Sequence, residues 1–133
     1  MSPQRGRIST PEHRDRGRAL LLGSGERARR LAKAIEAERD GERRVIGFLD
    51  DQPSDGDRAL LGPRYLGSLD RLGEIVSRER VGWVIYGLPR RFLGQDSIAN
   101  AIGLCETLGI DLTIPADLFE TRAAQVIVTR IGD

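Results

Sequence analysis

Two glycines separated by a single residue are the clearest chemical signal in this sequence. Residues 23–28 read Gly-Ser-Gly-Glu-Arg-Ala, a G-x-G-x-x-A pattern that suits diphosphate binding where a strand turns into a helix. The first glycine permits a tight turn, the second lets a diphosphate approach the backbone, and Ala28 allows close helix–strand packing. A helix beginning at Glu26 would add amide donors and the positive end of its dipole. The candidate contacts are Gly23, Ser24, Gly25, Glu26 and Arg27, and the alternative, that the glycines only form the turn, stays open.

An acidic residue follows the next apolar run at a distance that suits nucleotide binding. Asp50 lies 25 residues beyond Gly25, at the end of the predicted second strand, where a carboxylate can accept from ribose hydroxyls. Asp50 also precedes Gln52 and a proline, which is equally typical of a simple turn. Leu88 and Pro89 follow the fourth predicted strand at the same edge, and they complete the candidate cofactor-binding set.

Several other residue types could do chemistry, but their context favours packing or solvation. Arg90 and Arg91 could pair with phosphate, although surface arginines in loops are more often solvated. Trp83 and Tyr86 lie in a predicted strand, and Cys105 lies on an apolar helix face, so we expect all three to be core residues. We assign no catalytic and no metal-binding residue.

Apolar runs alternate with helical periodicities along the chain. Short apolar or alternating runs predict strands at Arg18–Leu22, Arg44–Leu49, Arg64–Gly67, Val81–Tyr86, Ile110–Ile114 and Gln125–Thr129. Helical spacing predicts helices at residues 26–37, at residues 69–76 after a Ser68 cap, and at residues 95–108, with a helical turn at 116–120. Residues 54–63 predict a loop. The alternation predicts a single α/β domain of the Rossmann-like type, with a mostly parallel, doubly wound sheet of five to six strands in the order 3-2-1-4-5.

Composition narrows the function classes. The chain has 133 residues, a net charge of +1, one cysteine and one histidine. These counts exclude an internal disulfide framework and a multi-histidine metal site, and the charge balance gives no case for nucleic acid binding. No lysine of a P-loop follows the glycines, no nucleophile–base pair stands out, and little chain is left for a substrate domain. The sequence therefore favours a binding or regulatory module over a complete enzyme.

The charge is concentrated at the start of the chain. Residues 1–18 contain five arginines and two acidic residues, which leaves a net charge of −2 on the remainder. This stretch has few apolar residues, so we expect residues 1–17 to form a flexible basic arm or linker, with the domain at residues 18–133. A bare solvated leader explains the arm equally well.

A series of motifs, in this order along the chain, resembles one known family. The series consists of RALLLGSGERARRLA from Arg18, VIGFLDD from Val45, LGSLD from Leu66, VIYGLP from Val84 and PADLFE from Pro115. It is similar to the cytoplasmic Rossmann-like (CoA-binding-like) domain of bacterial polyprenyl-phosphate sugar phosphotransferases. The resemblance covers about residues 18–133.

The resemblance implies a place in a larger membrane protein. Enzymes of this family transfer a sugar 1-phosphate from a nucleotide sugar to polyprenyl phosphate in exopolysaccharide, capsule or O-antigen synthesis. Their Rossmann-like domain lies between N-terminal transmembrane helices and a C-terminal catalytic part, on the cytoplasmic side of the inner membrane. We therefore expect a non-catalytic accessory domain, excised or stand-alone, that is soluble in isolation. Its expected partners are a nucleotide or nucleotide sugar, the other domains of the parent chain, and a second copy in a homodimer.

A second class of function remains open. The chain could be the NAD-binding half of a nucleotide-sugar epimerase/dehydratase or of another oxidoreductase, so NAD and a nucleotide sugar are both candidate ligands. A regulator that binds nucleic acid through the basic arm is disfavoured by the near-zero net charge.

Overall fold

The computed structural model describes residues 15–38, 42–115 and 126–130. Strands are numbered here in chain order: β1 Asp15–Leu22, β2 Arg44–Leu49, β3 Tyr65–Gly67, β4 Val81–Tyr86, β5 Asp111–Pro115 and β6 Val126–Arg130. The helices are α1 Glu26–Glu36, α2 Asp55–Leu61, α3 Leu72–Glu79 and α4 Asp96–Leu108, with short 3₁₀ helices at Gly62–Arg64, Leu69–Arg71 and Arg90–Gly94. The predicted arm up to residue 14 and the predicted turn at 116–120 lie outside the described residues.

The strands form one six-stranded sheet in the order β3-β2-β1-β4-β5-β6. The first five are parallel, and β6 pairs antiparallel with β5. The predicted Rossmann-like α/β class and the order 3-2-1-4-5 are therefore confirmed, and the last predicted strand closes one edge in the opposite direction. The strand order reverses between β1 and β4, which places a switch point beside the first glycine.

The core has two layers because β1 is buried on both faces. Leu20 and Leu22 pack with α3 and α4, whereas Ala19 and Leu21 pack with α1 on the opposite side. Successive side chains of a strand point to opposite faces, so an uninterrupted apolar run is what a central, doubly covered strand requires. These four side chains are fully buried.

The first strand begins earlier than the sequence predicts. β1 starts at Asp15, so three residues of the predicted arm belong to the strand. Arg18 fastens this strand to the end of α3, because its Nε donates to the Glu79 carbonyl at 2.6 Å and its Nη2 pairs with the Glu79 carboxylate at 3.2 Å.

The predicted loop at residues 54–63 is wrong, because residues 55–61 form α2. Ser54 caps this helix, because its hydroxyl accepts from the Asp57 N–H at 3.0 Å. The negative charges of Asp55 and Asp57 in the first turn interact favourably with the positive end of the helix dipole. Leu61 is buried and anchors the helix against the α1 face of the sheet. The sequence prediction failed because this helix is mostly polar and buries one apolar side chain, Leu61.

Ser68 precedes a 3₁₀ turn instead of capping α3 directly. Its hydroxyl pairs with the Asp70 carboxylate, and α3 begins at Leu72. None of the helices in the described ranges is long and apolar enough to cross a membrane.

Candidate functional site

The glycine loop joins β1 to α1 at the carboxyl edge of the sheet, and its first glycine is required by the fold. Gly23 has a φ of +122°, and a Cβ there would lie 2.9 Å from the Gly87 carbonyl oxygen. Its N–H donates to the Leu49 carbonyl at 2.7 Å. Gly23 therefore serves the turn itself, by its conformation and by close packing against the end of β4.

The second glycine is not required in the same way. Gly25 is the N-cap residue of α1 and has an ordinary φ of −83°. Apart from its two chain neighbours, the described residues offer a Cβ on Gly25 one contact within 4 Å, with Asp57 Oδ2 at 3.7 Å, which is an ordinary van der Waals distance. Formation of the turn therefore explains Gly23, whereas neither the backbone conformation nor crowding requires glycine at residue 25.

Ala28 has the packing role that the motif predicts. It is fully buried, and its Cβ lies 3.1 Å from the position a Cβ would take on Gly87 and 3.4 Å from that on Gly23. A larger side chain at residue 28 would push α1 away from β1 and β4.

Asp50 lies at the end of β2 beside the glycine loop, and its carboxylate is held from two sides. The buried Ser24 hydroxyl donates to Asp50 Oδ2 at 2.6 Å, and the Gln52 N–H donates to Oδ1 at 3.0 Å. The Tyr65 hydroxyl donates to the Asp50 carbonyl at 2.9 Å. Each carboxylate oxygen has a second lone pair, so this fixed carboxylate can still accept from a ribose hydroxyl. Asp50 also has the turn-forming role that the sequence allows, since its contact with the Gln52 N–H is an Asx turn.

Asp51 has a different task from its neighbour. Its Oδ1 accepts from the Leu69 N–H at 2.8 Å, so it fastens the start of the 3₁₀ turn that leads into α3. Leu69 is buried, and its N–H is thereby satisfied.

These loops surround a cleft of about 580 Å³ at the switch point. Its lining includes seven of the eight residues that the sequence predicts, namely Ser24, Gly25, Glu26, Arg27, Asp50, Leu88 and Pro89. The eighth, Gly23, is buried and does not line the cleft. The volume lies within the range of small-molecule sites, and open α/β sheets bind ligands at this position.

The charges of the cleft are divided. Asp50, Asp51 and Asp57 stand on the side of β2 and α2, whereas Arg91 stands on the side that follows β4. Glu26 and Arg27, the first two residues of α1, also line the cleft and carry opposite charges. A ligand with ribose hydroxyls at one end and an anionic centre would match this division.

Tyr86 fixes the wall that Leu88 and Pro89 provide. Its hydroxyl donates to the Pro89 carbonyl at 2.6 Å, which folds the chain back after β4. Burial raises the pKa of Tyr86, and the charges of Arg27 and Arg90 oppose that rise. The phenol thus remains a protonated donor, in agreement with the packing role expected for it.

Arg29, Ser54 and Asp57 are absent from the predicted set, and they belong together. Arg29 Nη1 donates to Asp57 Oδ1 at 2.6 Å and to the Ser24 carbonyl at 2.9 Å, and Ser54 lines the cleft beside them. The contact with Arg29 holds the pKa of Asp57 below its usual value. The available signal was the Ser-Asp-Gly-Asp run at residues 54–57, which is typical of a helix N-terminus.

The remaining candidates, with the exception of Arg91, lie outside the cleft. Trp83 is half-buried, and its Nε1 donates to the buried Thr113 hydroxyl at 2.7 Å. Cys105 is buried, and burial raises its pKa to about 12, so its thiol is a packing group. Arg90 and Arg91 are both exposed, and only Arg91 lines the cleft. Within the part of the chain that the structure describes, no cluster of His, Cys, Asp or Glu could hold a metal ion.

Neither the protein-family models nor the curated proteins give a match to this chain. Among solved structures, the chain is similar to a protein from Magnetospirillum magnetotacticum MS-1 titled a "putative oxidoreductase". The TM-score is 0.42 and the identity 15%, over 73% of this chain and 37% of that one. This chain therefore spans little more than a third of that protein. A likeness this distant says nothing about function, and the fold class stated above rests on the strand order and direction.

Proposed function

We propose that this domain binds a nucleotide or nucleotide sugar through its diphosphate, as a non-catalytic accessory domain of a membrane sugar phosphotransferase. Gly25 is the observation that carries the binding half of the proposal. The residue lies at the start of α1 and lines the cleft, it has room for a side chain, and its backbone needs no glycine. A ligand that approaches the backbone closely gives the missing side chain a reason.

The surrounding groups support the same ligand class. The first turn of α1 offers backbone N–H groups to an anion. The fixed Asp50 carboxylate lines the cleft at the position where it could accept a hydrogen bond from a ribose hydroxyl. The accessory role and the transferase context rest on the motif series that resembles the sugar phosphotransferase domain.

An NAD-dependent oxidoreductase remains the second candidate, and Asp50 is the observation that favours it. In dinucleotide-binding folds an acidic residue at the end of the second strand accepts from the adenosine ribose. The two candidates differ in ligand preference, so a titration with NAD on one side and a UDP-sugar on the other separates them.

The binding test compares two glycine variants by calorimetry with NAD, UDP-sugars and CoA. Gly25→Ser should keep or slightly raise the unfolding free energy, because serine is a favoured N-cap residue. It should abolish ligand binding, because its side chain fills the approach and occupies an N–H of the helix start. Gly23→Ala is the matched control, which should lose stability through strain at φ +122° and the clash with Gly87.

The outcomes are distinct. Wild-type binding that is lost in a stable Gly25→Ser variant supports the proposal. No response of the wild-type domain to any of these ligands at millimolar concentration overturns the binding half. The accessory half is tested by the flanking reading frame of the parent gene, where transmembrane spans before the domain and a catalytic part after it are expected.

Dimerisation is a further part of the proposed accessory role. Light scattering across micromolar concentrations should show a mass of twice the monomer, and a strict monomer throughout contradicts dimerisation by this domain alone.

A further inference from the structure

A carboxylate of the protein borders the space that Gly25 leaves open. Asp57 Oδ2 lies 3.7 Å from the position that a Cβ would take on Gly25. This is the side of the backbone from which a phosphate would approach the loop if the missing side chain serves a ligand. Asp57 and Gly25 both line the cleft, so the carboxylate and a ligand phosphate would compete for one place.

Arg29 holds the carboxylate there. Its Nη1 bridges Asp57 Oδ1 at 2.6 Å and the Ser24 carbonyl at 2.9 Å, which ties the first turn of α2 to the glycine loop. The two side chains are 26% and 28% exposed, so solvent can reach this ion pair. A guanidinium binds a phosphate oxygen with the same charge-assisted geometry that it offers to a carboxylate.

The element that carries Asp57 buries little apolar surface. Leu61 is the one buried residue of α2, and Leu60 beside it is 70% exposed. The first turn of the helix can therefore shift without uncovering the core.

We propose that Asp57 is an internal competitor for the diphosphate site, and that Arg29 exchanges the Asp57 carboxylate for a ligand phosphate on binding. The inference rests on the proposed function for the position of the phosphate. It adds Arg29 as a residue that binds the ligand. It also adds Asp57 as a residue that lowers the affinity of the site for anionic ligands.

The experiment measures affinity for ADP and for inorganic pyrophosphate in the wild type and in three variants. Asp57→Asn keeps an oxygen for Arg29 and removes the charge, so it should tighten binding of both probes about tenfold, or about 1.4 kcal/mol. Asp55→Asn makes the same charge change two residues away on α2 and should alter affinity less than twofold. Arg29→Gln should weaken binding about tenfold.

Each pattern of results separates the inference from the proposed function. If the wild type binds ADP and Asp57→Asn binds it no more tightly, the inference is overturned and nucleotide binding stands. If no protein binds ADP but Asp57→Asn binds pyrophosphate and the wild type does not, the inference stands and nucleotide binding falls. If neither probe binds wild type or Asp57→Asn, both are overturned.

A measurement on the wild type covers the case in which Asp57→Asn does not fold. Amide hydrogen exchange of residues 55–61 should speed up on saturation with ADP, because displacement of Asp57 releases the first turn of α2. Unchanged or slower exchange in α2 contradicts the exchange of partners by Arg29.

Discussion

The hydrogen bond between Ser24 and Asp50 ties the glycine loop to the end of β2. Ser24 is 2% exposed, and its hydroxyl lies 2.6 Å from Asp50 Oδ2. Hydrogen bonds to charged groups contribute about 1.5–3 kcal/mol, and this one fixes the carboxylate that we expect to contact a ribose. A loop residue between two glycines thus has a structural partner on a neighbouring strand.

We predict that Ser24 and Asp50 are energetically coupled. Ser24→Ala, Asp50→Asn and the double variant form a cycle whose coupling energy in urea unfolding should be about 1 kcal/mol or more. Strictly additive losses would show that the two side chains act independently. Asp51→Asn is a useful comparison, because it perturbs the Leu69 contact and should be additive with Ser24→Ala.

The positions of three residues around the glycine loop and the end of β2 could be predicted because they share a local origin. Gly23, Ala28 and Asp50 are defined by their spacing within or after a strand–turn–helix unit, and such a unit keeps its geometry whatever surrounds it. The Asp57–Arg29 pair joins residues 28 positions apart, and it exists only after α2 has folded over the loop. No short-range pattern contains that information.

At the scale of elements, α2 shows why a polar stretch can be misjudged. The helix has one buried side chain, so the apolar periodicity used to predict helices is absent. Capping by Ser54 and two acidic residues in the first turn stabilise it instead. Helices α1 and α4 bury several apolar residues each and were therefore predicted close to their observed bounds.

The end of α3 offers an element-scale prediction. Arg80 is the C-cap residue and adopts φ 57° and ψ 44°, the left-handed region that glycine prefers. Arg80→Gly should raise the unfolding free energy by about 0.5–1 kcal/mol, since relief of the left-handed conformation outweighs the added freedom of the unfolded chain. Arg80→Ala removes the same side chain but keeps the conformational cost.

Urea unfolding of the two Arg80 variants provides the comparison. Arg80→Gly should be the more stable of the pair. Equal stability, or a more stable Arg80→Ala, would mean that the arginine side chain and not the backbone decides the energy at this helix end.

For the whole molecule, the two-sided burial of β1 explains why the fold class was predictable from the sequence. Four consecutive fully buried apolar residues can occur in a strand only if both faces of the sheet are covered. The crossovers that cover both faces then require the chain to reverse direction across the sheet, and the cleft opens where it does. The cleft's position follows from these constraints, whereas its charges depend on which side chains the loops bring there.

The same arrangement predicts how the molecule unfolds. Leu20 and Leu21 are neighbours in β1, yet each is buried in a different layer of the core. Replacing either with alanine should lower the unfolding free energy by about 2–5 kcal/mol, and both should shift one common transition because β1 belongs to both layers. Trp83 is the only tryptophan and packs against the layer of Leu21, so its fluorescence reports that side, while far-UV circular dichroism reports the whole chain. Coincident transitions by both probes in Leu20→Ala would show that lost packing on the opposite face of the sheet destabilises the surroundings of Trp83 as well. As a control, Leu60→Ala, at an exposed position, should change the unfolding free energy by less than about 0.5 kcal/mol. A fluorescence midpoint that moves in Leu21→Ala but stays at the wild-type value in Leu20→Ala would instead mean that the two layers unfold separately.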